Sequence, residues 1–129
     1  MIDILFDIPE LIVESREGGY WNLRANGYGG RFYPAGKGPD ILSIALPLAE
    51  DSAAFTFLLW NNQLAEWEGG VTCALIRSDS RWWLAQQFIE AADNVKQRVY
   101  WQLRLADTLL MLSRQMRSVP PSVSKGWRL

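Results

Sequence analysis

The chain has 129 residues, 49% of them hydrophobic and 21% charged, enough to build one core and too few for two. Its 13 lysines and arginines against 14 aspartates and glutamates leave a net charge of −1. That lacks the basic excess a phosphate backbone demands, so nucleic acid is not an expected partner.

One cysteine, Cys73, excludes an internal disulfide and fits a reducing compartment. No apolar run approaches the ~18 residues of a membrane span. The opening MIDILFDIPE has acidic rather than basic flanks, which argues against a signal peptide. A cytoplasmic protein without a membrane span is expected.

Residues 2–13 are apolar but interrupted by Pro9. Proline inside a helix removes a hydrogen bond and clashes with the preceding turn, so any helix here is short and ends before it. An extended piece follows, then a polar connection over 14–19. Residues 20–25 read as a strand, and Asn26-Gly27 is the dipeptide that best tolerates the positive φ angles of a type I′ hairpin. The returning arm, 28–33, carries Gly29 and Gly30, a hint of a bulge. A loop over 35–40 leads to a third strand over 41–47, ended by Pro47.

Glu50 to Ser52 supply capping groups for a helix over 53–67, with Phe57, Leu58, Trp60, Leu64 and Trp67 available for burial and Gly69-Gly70 as its stop. Strands are expected over 71–77 and 82–89, joined by a short polar link. Val71, Cys73 and Leu75 alternate with Ala74 and Ile76, and Trp82, Leu84 and Phe88 with Trp83, Ala85 and Ile89. Both faces of these strands are partly apolar, so the sheet is expected to be covered on both sides.

Residues 93–117 form the longest element, a helix without Gly or Pro, capped by Asp93 or Asn94 and ending in Arg114 and Arg117. At about 100° per residue, Val95, Val99, Leu103, Ala106 and Leu110 form one apolar group, and Trp101, Leu105, Leu109, Leu112 and Met116 a second beside it. The combined arc of about 200° exceeds the ~100° that one core face needs. The excess calls for a second partner, either another element of this chain or another protein. The tail SVPPSVSKGWRL is extended or flexible, or an anchor in which Trp127 docks on a neighbour. The expected organisation is one domain over 1–117 and a tail over 118–129.

Candidate chemistry is sparse. Without histidine, the usual general base and the commonest metal ligand are missing, and a Ser-His or Cys-His nucleophile is impossible. Gly27-Tyr-Gly-Gly30 and Gly36-Lys37-Gly38 are glycine-rich, but neither leads directly into a helix as a phosphate loop must. The carboxylates Glu50, Asp51, Glu66 and Glu68 suit capping and surface roles better than acid–base work. No catalytic residue, metal site or cofactor is expected. Seven Trp and five Phe are a heavy load for a small domain, each large ring burying roughly 150 to 250 Å², so some are assigned to an interface. The partner-binding candidates are Trp82, Trp83, Trp101, Leu105, Leu109 and Met116, since aromatic anchors dominate interface energetics.

The order strand-strand-strand-helix-strand-strand-helix resembles the small α+β fold of class I type III secretion chaperones, a twisted antiparallel sheet of about five strands flanked by helices. The stretches that carry the likeness are FTFLLWNNQLAEWEGG, VTCALIRSDSRWWLAQQF and the last helix. A closer resemblance is to the SpiC/SepD type of gatekeeper component, on IPELIVESREGGYWNLRANG, ILSIALPL, FTFLLW and LRLADTLLML. It implies a chaperone-fold subunit that pairs with a second small chaperone-like protein and holds the gatekeeper protein, delaying effector export until translocators are delivered. Effector chaperones usually begin with a full amphipathic helix, whereas this start is broken by Pro9, which favours a hetero-oligomer over a homodimer bound to a single secreted client. A small-molecule-binding or hydrolytic domain with its site near Lys37 is the reading from another class.

Overall fold

The computed structural model describes residues 1–47, 73–88 and 94–118, with the side chains of residues 112 and 115–118 left out. The helix expected over 53–67, its Gly69-Gly70 stop, the cap at Asp93 and the tail from 119 onward lie outside the described residues.

The chain opens with α1, Ile2–Phe6, which stops three residues before Pro9. Six strands follow: β1 (Leu11–Glu17), β2 (Tyr20–Ala25), β3 (Tyr28–Tyr33), β4 (Asp40–Leu46), β5 (Cys73–Ser78) and β6 (Arg81–Phe88), then helix α2 (Val95–Ser118). They form one antiparallel sheet in the order β1-β2-β3-β4-β6-β5. The α+β class is as expected, with one strand more.

The additional strand is β1. Its second half is Glu14, Ser15, Arg16 and Glu17, all exposed, which reads as a polar connection because β1 is an edge with little to bury there. The register slips between Val13 and Ser15, and this bulge together with the charges blunts the edge.

The β2–β3 turn places Asn26 at φ 50° and Gly27 at φ 86°, as the dipeptide predicts. The β5–β6 turn does the same with Asp79 at 54° and Ser80 at 59°, neither of them glycine. Gly30 is required by close packing, because a Cβ there would fall 2.7 Å from Leu23 Cδ1 and 3.0 Å from the Ser43 carbonyl oxygen.

Alternation gives the sheet two unlike faces. The inner face carries Leu11, Leu23, Ala25, Phe32, Leu42, Ile44, Leu46, Leu75, Leu84 and Phe88, all buried with Leu5 of α1 and Val95, Val99, Leu103 and Ala106 of α2. Each large aliphatic side chain sealed in this way contributes about 1.5–3 kcal/mol. Leu105 and Leu109 belong to the same cluster. On the outer face Ser43, Trp83 and Ala85 are buried, while Ala74 and Ile76 are exposed.

Candidate interaction surface

Helix α2 is pinned to the sheet by a buried amide network as well as by apolar packing. Gln86 and Gln102 are both fully buried, and Gln86 Nε2 donates to Gln102 Oε1 at 2.9 Å. Gln102 Nε2 in turn donates to the carbonyls of Leu42 and Leu84, each at 2.9 Å, so one side chain of α2 reads the backbones of β4 and β6 together. Arg98 closes the network: its Nε donates to Gln86 Oε1 at 3.1 Å and its Nη2 to the Gln87 carbonyl at 2.7 Å, with its guanidinium over the Phe88 ring. Buried amides retained in this way must be satisfied, and these are.

Farther along the sheet two phenols complete the docking. Tyr28 donates to Asp107 Oδ1 at 2.7 Å, and Tyr100 to Glu10 Oε1 at 3.3 Å. Burial, then the bond to Asp107, pushes the Tyr28 phenol up to about 12. Cys73, on the inner face, is likewise pushed up to about 12 by burial, so its thiol stays protonated.

The outer face bears a cluster of cation and rings. The Arg31 guanidinium lies 4.9 Å from the centroid of Tyr20 and 4.8 Å from that of Trp83, and Tyr20 packs on Tyr33 at 5.4 Å. Arg31 reaches Trp83 across β4, whose outward residues there are the small Ser43 and Ala45. Arg31 Nη1 donates to Asp79 Oδ2 at 3.1 Å, tying β3 to the β5–β6 turn, and Trp83 Nε1 donates to the Ser78 carbonyl at 3.0 Å.

Among solved structures the chain is similar to the Yersinia pestis type III secretion chaperone SycH, determined in complex with a stable fragment of YscM2. The two share 17% identity over 75% of this chain and 85% of that one, with a TM-score of 0.50. The fold is that of a type III secretion chaperone. No protein-family model and no curated protein sequence matches the chain. Among the described residues no helix is long and apolar enough to cross a membrane.

On this chaperone fold the six residues singled out from sequence are dispersed. Trp82 and Trp83 leave opposite faces of β6. Trp82 is half-buried against the core with the Arg77 guanidinium over its ring, and its Nε1 is buried with no hydrogen-bond partner among the described residues. Trp83 is buried on the outer face. Trp101 is half-buried beneath Arg104. Leu105 and Leu109 are buried in the protomer's own core, so the wide apolar arc of α2 is absorbed internally at these two positions. Met116 is on α2, with its side chain outside the described residues.

Among the described residues the most exposed large apolar side chains are others: Phe6, Ile12, Ile76, Tyr100 and Met111. Ile12 is 60% exposed on one edge strand and Ile76 47% exposed on the other. Period-2 alternation places Ile76 opposite Cys73 and Leu75, which was the available signal. The buried glutamines carried a fainter one, since Gln102 continues the helical line of Val95, Val99 and Ala106.

Proposed function

We propose that this chain is a non-enzymatic, cytoplasmic interaction protein of a type III secretion system. It acts as a chaperone-like gatekeeper subunit that pairs with a second small chaperone-like protein and holds the gatekeeper protein during the switch from translocator to effector export. The observation that carries the reading is the shared fold with a secretion chaperone solved with a protein fragment bound. Exposed isoleucines on both edge strands support it, because edges with unspent apolar side chains favour association with another chain. The domain over 1–117 supplies the binding surface, with the 118–129 tail as an added contact.

Trp82 and Trp101, half-buried with rings reaching the surface, are the anchors retained from the six candidates. Affinity capture from the native organism with the tagged full chain, followed by mass determination of the intact complex, tests the reading. Recovery of a second small subunit with a larger gatekeeper supports it. A homodimer carrying one secreted effector replaces it with the ordinary effector-chaperone role, and a strict monomer that captures nothing overturns both.

A further inference from the structure

Arg31 is held on more sides than an ordinary surface arginine. Two rings and a carboxylate hold its guanidinium, so part of the side-chain entropy that binding would cost is already lost in folding. All five guanidinium donors lie in one plane. The protein engages one nitrogen: Nη1 donates to Asp79 Oδ2 at 3.1 Å and, at 3.5 Å, to the Tyr33 hydroxyl. The Nε and Nη2 donors meet no acceptor among the described residues, and the side chain is 26% exposed. Nε and Nη2 together form the edge that accepts a carboxylate with two parallel hydrogen bonds.

We propose that Arg31 is a carboxylate-recognition site on the outer face of the sheet, taking an aspartate or glutamate side chain of a protein partner through its Nε–Nη2 edge. The partner assignment rests on the interaction-protein reading above, whereas the site itself does not. A buried or structural arginine satisfies its fork with protein acceptors, whereas the bidentate edge of this one has no acceptor among the described residues and lies beside two half-buried phenols, Tyr20 and Tyr33. Asp79 neutralises part of the charge and holds the plane, which selects a ligand that matches the fork over one attracted by charge alone.

The test follows the Arg31 Nε–H resonance of the 15N-labelled full chain at low salt during titration with N-acetyl-glutamate amide, N-acetyl-glutamine amide and inorganic phosphate. The expected result is a saturable shift with the glutamate probe, with a Kd on the order of 10 mM as befits one ion pair, and none with the glutamine probe. Arg31→Lys, which keeps the charge and the ring contact, weakens binding of the glutamate probe about tenfold, followed through the backbone amides of Tyr33 and Asp79. Absence of a saturable shift in the wild-type chain, or an equal shift with the neutral probe, overturns the site. Saturation by phosphate but not by the glutamate probe overturns the partner carboxylate. The two readings fail separately: a titrating site in a protein that captures no partner leaves the site standing, and a silent Arg31 in a protein that captures its subunits leaves the function standing.

Discussion

The side chain of Gln102, in the middle of α2, bonds the side chain of Gln86 on β6 at 2.9 Å with both residues shut off from solvent. Replacing Gln102 by leucine keeps the volume but removes its hydrogen bonds to the Leu42 and Leu84 carbonyls and takes Gln102 Oε1 from Gln86, whose Nε2 keeps the Arg98 carbonyl at 3.2 Å. At about 0.5–1.5 kcal/mol for each of the three lost hydrogen bonds, Gln102→Leu is expected to cost about 2–4 kcal/mol. A urea unfolding series measures it. The double variant Gln86→Leu/Gln102→Leu is expected to cost less than the two single changes added together, since the partners vanish together.

This network shows what the sequence could and could not reveal. The hairpin at Asn26-Gly27 was legible to the residue, because a two-residue turn dictates the register of the strands it joins. The apolar line of α2 was legible because 3.6-residue spacing survives in any context. Gln86 and Gln102 were not, since a glutamine declares itself buried only through partners distant in the chain. The placement of β6 between β4 and β5 was also hidden: local patterning gives strands, and their neighbours are chosen by the shape of the whole sheet. The polar half of β1 escaped because an edge strand is held by backbone bonds and needs few apolar residues. Trp101, Leu105 and Leu109 were grouped as one candidate surface, yet the two leucines point into the core and the tryptophan is half-buried beneath Arg104. Angle around a helix axis ranks positions without saying how far the neighbouring sheet wraps.

Tyr28 makes stability fall in alkali. Its folded pKa of about 12 lies above the ordinary value of 10.0, so between these limits the folded protein holds a proton that the unfolded chain has lost. The contribution is complete below pH 10 and disappears as pH rises through 12. Tyr28→Phe is expected to cost about 1 kcal/mol at neutral pH, for the lost bond to Asp107. It should also flatten the decline in unfolding midpoint over the alkaline window, which thermal melts at stepped pH will record.

Cys73 is expected to be chemically quiet. Burial raises its thiol from 9.0 to about 12, and the nearby Arg98 guanidinium offsets only part of that. Since the thiolate is the nucleophile, alkylation by iodoacetamide at neutral pH should proceed at least about tenfold more slowly in the folded chain than in urea. Mass spectrometry of timed samples decides it, and equal rates in the two states would contradict the burial.

The β5–β6 turn holds two non-glycine residues in the left-handed region, and they are not equivalent. The Ser80 side chain, at φ 59°, makes no hydrogen bond among the described residues, so Ser80→Gly relieves backbone strain and is expected to raise stability by about 0.5–1 kcal/mol. Asp79 at φ 54° supplies the carboxylate that holds Arg31. Asp79→Gly therefore gains the same relief and loses an ion pair, and should come out neutral to slightly destabilising while loosening Arg31. Chemical unfolding of the two variants side by side gives the comparison, and matched gains would show that the Arg31 bond contributes nothing.

The exposed isoleucines of the edge strands separate folding from association. Ile12 and Ile76 spend little of their surface inside the protomer, so Ile12→Lys and Ile76→Lys should each move the unfolding midpoint of the isolated chain by no more than about 0.5 kcal/mol. A lysine on an edge strand is costly to a partner, because pairing there would have to desolvate the ammonium or clash with it. If either edge receives another protein, the corresponding lysine variant should recover at least about tenfold less partner in affinity capture while melting like the parent, and the other variant should retain it. The assay thus reports which end of the six-stranded sheet is the contact. Full capture by both variants would move the contact off the edges and leave the half-buried rings of Trp82 and Trp101 as the surface to substitute next.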